Sequence, residues 1–230
     1  MDGAFSVLAT SALFVGSHFL LSHPLRAPLV ARLGEKGLQG VYTLVAFATL
    51  GATVWAYRAA LVTEPLWDVG DGLWAIATVL MLVASILFMG SLVRNPTLSG
   101  SKTDPAHAEA RGVFAVTRHP MMWSFAIWGL SHILVYPIAK NVVLCIAIII
   151  LALVGSALQE RKRAALDPAG WRSWRARSSF WPFAAVAAGR AHFGGFGMHA
   201  LAGGTAVWLV ATWAHIPLAG WAAGIWRWVV

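Results

Sequence analysis

Charge is scarce in this sequence, where only 11% of the 230 residues are Asp, Glu, Lys or Arg and 59% are hydrophobic. A soluble domain carries about 25% charged residues, so this chain has too few to cover the surface of a water-soluble globule. This number of charged residues is sufficient to cover the two ends of a helical bundle whose sides face lipid. The composition therefore predicts an integral membrane protein.

Cysteine and recognisable catalytic motifs are also lacking. Cys145 is the single cysteine, which excludes an intrachain disulfide and a thiolate metal site. There is no Walker loop, HExxH, GxSxG or CxxCH sequence, and the last absence excludes a covalently attached c-type haem. The net charge of +8 is concentrated in short loops between apolar runs, as in loops that face anionic lipid, so no nucleic-acid partner is expected.

Six apolar runs are long enough to cross the bilayer, whose hydrocarbon core is about 30 Å thick. They predict an all-α fold in a single membrane domain, residues 1–230: a polytopic helical bundle of about six transmembrane helices with an interfacial C-terminal tail, 217–230. The spans are expected at about 4–22, 40–61, 73–93, 120–138, 142–159 and 198–216.

The loops between these runs alternate in charge. Loops 23–39, 94–119 and 160–197 are basic, whereas loop 62–72 holds three acids and no base. The positive-inside rule assigns the basic loops to the cytoplasm and both termini to the periplasm. Within the last basic loop, residues 171–177 combine Trp and Arg in an amphipathic stretch that suits the inner membrane surface.

Two histidines lie well away from the ends of predicted spans, where polar side chains are costly and therefore candidates for function. His18 is in the first span and His132 is in the fourth. Neutral imidazoles on two helices are the minimum pattern for a six-coordinate b-type haem, whereas the alternative is hydrogen bonding within the bundle. By depth, His119 is an alternative partner for His18. The remaining candidates are expected in loops or at interfaces: His107, His192, His199 and His215.

Basic residues flank two of the spans. Arg118 and His119 precede Pro120 at the start of the fourth span, and Arg26 follows the first. Proline is favoured in the first turn of a helix. These side chains could hold a phosphate, a propionate or a cofactor carboxylate, or they could simply anchor the helix ends at the interface.

Several segments resemble the NnrU family and the NnrU-like domain of plant 15-cis-zeta-carotene isomerases. Segment 16–26 reads Gly-Ser-His-Phe-Leu-Leu-Ser-His-Pro-Leu-Arg, and 32–36 reads Arg-Leu-Gly-Glu-Lys. Segment 116–122 reads Val-Thr-Arg-His-Pro-Met-Met, and 128–132 reads Trp-Gly-Leu-Ser-His. The resemblance extends from about residue 10 to Phe183.

The resemblance implies a bacterial inner-membrane protein linked to nitrite and nitric oxide reduction, with a haem b bound by His18 and His132. Arg26, Arg118 and His119 would pair with the propionates. As an enzyme, it would isomerise a hydrophobic polyene or perform redox chemistry on a nitrogen oxide. Gly129 stands where the isomerases have a cysteine, so the thiolate ligand of that family is missing here.

A second, fainter likeness concerns the region around His119. Arg118-His119-Pro120, with a later Glu160 and Arg161, is similar to the signature of membrane methyltransferases for isoprenylcysteine and phospholipids. It implies S-adenosylmethionine as an alternative cofactor, bound at the cytoplasmic face with a lipid substrate. A non-enzymatic accessory subunit for assembly is a third hypothesis, since a fold does not determine a function.

Overall fold

The computed structural model of the chain describes residues 3–98 and 101–230, and all the regular secondary structure in these ranges is helical. This confirms the predicted fold class, a helical membrane bundle. The helices, in chain order, are α1 Gly3–Ser22, α2 Arg26–Ala59, α3 Asp71–Ser91, α4 Val113–Val116, α5 Pro120–Val135, α6 Ala139–Leu166, α7 Pro168–Arg177, α8 Ala184–Ala187, α9 Met198–Ala219 and α10 Trp226–Val229.

Each of the six predicted spans coincides with a helix. In the described ranges, α1, α2, α3, α6 and α9 are long and apolar enough to cross a membrane. The fourth predicted span corresponds to α5, which has 16 residues and is therefore only about 24 Å long. The chain beyond it, Tyr136–Ile138, is not helical, so the helix itself is shorter than the predicted span.

Two helices extend beyond their predicted spans. Helix α2 begins at Arg26 and includes most of the predicted loop 23–39, although Gly34 interrupts its regular geometry with φ 71°. Helix α6 continues past residue 159 to Leu166. Hydropathy detects only the part of a helix inside the hydrocarbon, whereas polar helix-forming residues such as Glu160 and Arg161 prolong it into the interface.

The long helices pack in the order α2, α1, α6, α5, α3, α9. Small residues let their backbones approach closely. A Cβ at Gly204 of α9 would lie 2.5 Å from the Cα of Ile86 in α3, and one at Gly129 of α5 would lie 3.1 Å from the carbonyl oxygen of Cys145 in α6. Helix α6 therefore separates α1 from α5, and α3 is packed by α5 on one side and α9 on the other.

The two ends of the bundle differ in structure as well as charge. The basic end, formed by segments 92–98, 101–119 and 167–197, contains a small core in which Trp171 and Trp174 of α7 are almost fully buried. The ring of Trp174 lies 6.1 Å from that of Phe114. The apolar face of segment 171–177 therefore packs against protein through its two tryptophans rather than facing lipid.

The opposite end, here the acidic end, is formed by segments 60–70 and 136–138 and by the C-terminal tail. The tail folds back on the bundle: the indole N–H of Trp226 donates to the carbonyl oxygen of Leu209 at 3.0 Å. Arg227 lies 3.1 Å from the carboxylate of Asp71 and 4.7 Å from the ring centroid of Trp74. These contacts join the tail to α9 and to the first turn of α3.

Candidate functional site

A cavity of about 710 Å³ lies between α3, α5 and α9 and extends to the acidic end. Its lining is mostly apolar, with aromatic side chains that include Phe88, Phe125 and Trp128. Ligand pockets typically measure about 300–1,000 Å³ and combine an apolar lining with a few polar groups. This space therefore has the size and the chemistry of a site for one apolar ligand.

Two histidines from different helices meet in this cavity. The ring centroids of His132 in α5 and His215 in α9 lie 6.3 Å apart, with an angle of 34° between the ring planes. Each Nδ1 lies 2.8 Å from a carbonyl oxygen one helical turn earlier, that of Trp128 for His132 and that of Ala211 for His215. In the tautomer with the proton on Nδ1, both Nε2 atoms are available as metal ligands.

His215 is a site residue that sequence reasoning missed. It lies near the end of an apolar run, and nothing in that run distinguishes it from an interfacial histidine. Only the packing of α5 and α9 on either side of α3 brings it to His132. The one available signal was that an intramembrane histidine is costly, which applies to His215 as it does to His132.

Lys140 and Asn141 supply polar groups at the acidic end of the cavity. The ammonium of Lys140 donates to the carbonyl oxygens of Ala60 at 2.7 Å and Tyr57 at 3.1 Å, and the residue is only 7% exposed. Within the described part of the chain, no carboxylate lies within 4.0 Å of it. Asn141 donates to the carbonyl oxygen of His132 at 3.0 Å. The Lys140 charge is thus buried without an anionic partner, a feature that sequence reasoning did not single out.

His18 lies elsewhere in the bundle. Its Nδ1 is 2.7 Å from the carbonyl oxygen of Phe14, and its ring centroid is 5.2 Å from that of Tyr42. Tyr42 is 15 residues before Tyr57, which lines the cavity, so the two tyrosines are separated by about 22 Å along α2. Helix α6 also stands between His18 and His132. In this arrangement the structure does not bring the two histidines together.

Arg118 and His119 form a second polar cluster with Glu160 at the basic end. The Nε2 of His119 is 3.0 Å from Oε1 of Glu160, and the Nε of Arg118 is 3.2 Å from the same oxygen. All three side chains are largely buried, and the side chain of His119 is only 1% exposed. The Nε and Nη1 atoms of Arg118 have no aligned hydrogen-bond acceptor among the described residues. The cluster therefore has donor capacity for an anionic group.

Burial controls protonation in this cluster. It holds the pKa of His119 below its ordinary value of 6.5, and the nearby Arg118 guanidinium lowers that pKa further, although Glu160 opposes both effects. The pKa of Arg118 is also lowered by burial. We therefore assign His119 as neutral near pH 7, with its Nε2–H donating to the carboxylate and the positive charge carried by Arg118.

Arg26 does not join this cluster. Its guanidinium forms a surface ion pair with Glu35 at 2.7 Å. Arg118 and His119 also lie far from His132, since Arg118 precedes His132 by 14 residues, or about 21 Å along a helix. The structure therefore does not bring Arg26, Arg118 and His119 together around a haem bound by His132.

Together, the apolar helices and the two polar sites define a polytopic helical membrane protein with a ligand-sized cavity. The model of the NnrU family, described as NnrU protein, matches residues 6–223. The chain therefore belongs to the NnrU family, and the match includes His18, His132 and His215. A search of curated proteins and a search of solved structures gave no match.

The buried His119 leads to a prediction about pH. Because its pKa is depressed in the folded state, the unfolded chain takes up a proton near pH 6.5 that the native protein does not. The contribution of neutral His119 to the free energy of unfolding is complete above that pH. It decreases as pH falls, by up to about 1.4 kcal/mol per pH unit. We expect the thermal midpoint in detergent to decrease as the pH is lowered from 7 to 5.5, and we expect His119→Gln to flatten this dependence.

The control is His192→Gln, at an exposed position, which should keep the wild-type pH dependence. Equal slopes in the wild type and in His119→Gln would contradict the assignment of His119 as neutral.

Proposed function

We propose that this NnrU-family protein binds haem b in the membrane cavity, where His132 and His215 would hold the iron. The observation that carries the proposal is the pair of imidazoles, 6.3 Å apart between ring centroids, that line one mostly apolar cavity of about 710 Å³. With both Nε2 atoms directed between the rings, a centroid separation of 6.3 Å would be compatible with the usual nitrogen–metal distance of about 2.0 Å. Helical bundles commonly hold such cofactors between side chains of facing helices.

Lys140 would hold the haem propionates at the acidic end of the cavity. Its ammonium is buried and lacks a carboxylate partner in the described ranges, and a buried charge of this kind is costly unless paired. A propionate would complete its environment. This assignment replaces Arg26, Arg118 and His119, which lie at the other end of the bundle.

The protein's own contribution would be to orient the two rings and to exclude water. The Nδ1–carbonyl contacts of His132 and His215 hold the imidazoles in one orientation, as outer hydrogen bonds do for metal-ligating histidines. The bound haem would supply one-electron chemistry, and it would bind a small ligand such as nitric oxide on release of one of the two histidines. Because the cavity is large enough for one ligand of porphyrin size, a small nitrogen oxide is the favoured substrate class over a long polyene. The protein would thus serve denitrification as a redox protein, with polyene isomerisation as the alternative.

The test is an absorption spectrum of the detergent-purified full-length protein expressed with ample haem. We expect a Soret band and, after reduction with dithionite, the sharp α and β bands of six-coordinate haem b. Addition of nitric oxide to the reduced protein should shift the Soret band, whereas added carotenoid should not alter it. A protein that contains no haem and takes up none during titration with hemin would overturn the proposal.

A second candidate function rests on Arg118. Its Nη1 atom, which has no hydrogen-bond acceptor among the described residues, could bind the carboxylate of S-adenosylmethionine in a methyltransferase acting on lipids. Calorimetric titration should then show binding that Arg118→Gln abolishes and that His132→Ala leaves intact. If neither haem nor S-adenosylmethionine binds, a non-enzymatic role in assembly becomes the favoured function.

A further inference from the structure

A basic groove of about 1180 Å³ lies at the basic end, between segments 93–94 and 103–113 on one side and segment 190–200, which leads into α9, on the other. It is separate from both sites described above. We propose that this groove binds the headgroup of an anionic phospholipid, with the acyl chains lying along α3 and α9. Basic pockets next to transmembrane helices are typical binding sites for such headgroups.

The charge of the lining favours an anion. Arg94, Arg111, Arg177 and Arg190 line the groove, and Glu109 is the acidic residue in its lining. Glu109 pairs with Arg111 at 3.2 Å, but both side chains are exposed, so this ion pair is weak. Asp104 is nearby and contacts His107. Four guanidinium groups against one lining carboxylate leave a net positive charge.

Two of these arginines are held in place by the backbone. Arg177 donates from Nε to the carbonyl oxygen of Ala108 at 2.7 Å and from Nη2 to that of Pro105 at 2.9 Å. The Nη1 of Arg190 donates to three carbonyl oxygens at the end of α7, including that of Ser178 at 3.1 Å. Because these acceptors are neutral, the arginines keep their full charge while their positions are restricted.

The groove walls depend on close backbone contact. Gly112 has φ 57°, and a Cβ there would lie 3.0 Å from the carbonyl oxygen of Phe196 on the other wall. Gly195 and Gly197 also have positive φ, at 97° and 84°. The Gly-Gly-Phe-Gly run, 194–197, thus has a defined conformation that a residue with a side chain would strain. The groove is formed by the fold itself rather than by long surface side chains alone.

The location of the groove favours an amphiphile over a free anion. Its lining includes Val93, just past the end of α3, and Met198, the first residue of α9. Met198 is 79% exposed, and it lies at the membrane interface, where the apolar helix α9 begins. A phospholipid would place its phosphate among the arginines and its acyl chains against these apolar helix ends, whereas a soluble phosphate would leave them uncovered.

The test is native mass spectrometry of the delipidated full-length protein titrated with dioleoyl phosphatidylglycerol or dioleoyl phosphatidylcholine. We expect the anionic lipid to bind more tightly, and the double variant Arg94→Gln/Arg111→Gln to lose about 30-fold in affinity for it. Both side chains are exposed, so the variant should keep the wild-type thermal midpoint. The matched control is Arg32→Gln/Lys36→Gln, which removes two exposed charges from α2.

Three results would overturn the proposal. The first is equal affinity of the wild type for the two lipids. The second is an equal loss of affinity in the control variant, which would indicate a general effect of net charge. The third is displacement of the lipid by millimolar inorganic phosphate, which would indicate a site for the free anion. None of these measurements depends on haem, so the groove and the membrane cavity are tested independently.

Discussion

Replacing His132 or His215 with alanine is expected to abolish the haem absorbance of the purified protein, whereas His18→Ala is expected to leave it unchanged. The reason is the packing of the helices. The rings of His132 and His215 are 6.3 Å apart, whereas His18 contacts Tyr42 at a depth about 22 Å away along α2. The measurement is the Soret absorbance per protein after identical expression and purification.

The controls separate a lost ligand from a lost fold. Circular dichroism and the elution volume in detergent should be the same for all three variants. In a His215→Gly variant, added imidazole should restore the Soret band, because the free ring can occupy the space left by the side chain. Loss of haem in His18→Ala together with its retention in His215→Ala would contradict the proposed pair and would instead support ligation by His18 and His132.

Trp174→Ala is expected to destabilise the basic end of the bundle by about 3–5 kcal/mol, the usual cost of removing a buried aromatic side chain. Trp174 is 0% exposed and packs with Phe114, Trp171 and residues of α3 in one core. Its indole N–H has no hydrogen-bond acceptor in the described part of the chain, so the loss should be one of packing. Thermal unfolding followed by circular dichroism at 222 nm measures the effect.

The matched control is Trp181→Ala. Trp181 is also at the basic end but is 63% exposed, and surface substitutions usually change stability by less than about 0.5 kcal/mol. If the two variants unfold at the same temperature, the core around α7 does not contribute to stability as its burial indicates. Restoration of the wild-type midpoint by Trp174→Phe, even in part, would support a packing role.

The helices themselves were largely predictable from the sequence. In a bilayer every backbone polar group must be paired within the protein, so an apolar run of sufficient length has to be helical. Each predicted span accordingly coincides with a helix, and the family assignment followed from local motifs such as segment 116–122. The boundaries were less predictable: α2 and α6 continue into polar sequence, where hydropathy carries no information.

The candidate site was predicted only in part. His132 was identified because an intramembrane histidine is costly, but its partner was assigned to α1, whereas the structure brings α9 to it. The amphipathic pattern of segment 171–177 was recognised, but the pattern alone does not say whether its apolar face meets lipid or protein. In the structure, that face meets Phe114 and the end of α3.

The sequence by itself therefore determined that the chain is a helical membrane protein of the NnrU type, since bilayer thickness and backbone pairing constrain each apolar run separately. Only the tertiary structure decided which polar residues meet. The packing order of the helices puts α6 between His18 and His132 and brings His215 and Lys140 to the same cavity as His132. That order depends on contacts between residues far apart in the chain, such as Gly204 with Ile86, which hydrophobic periodicity does not encode.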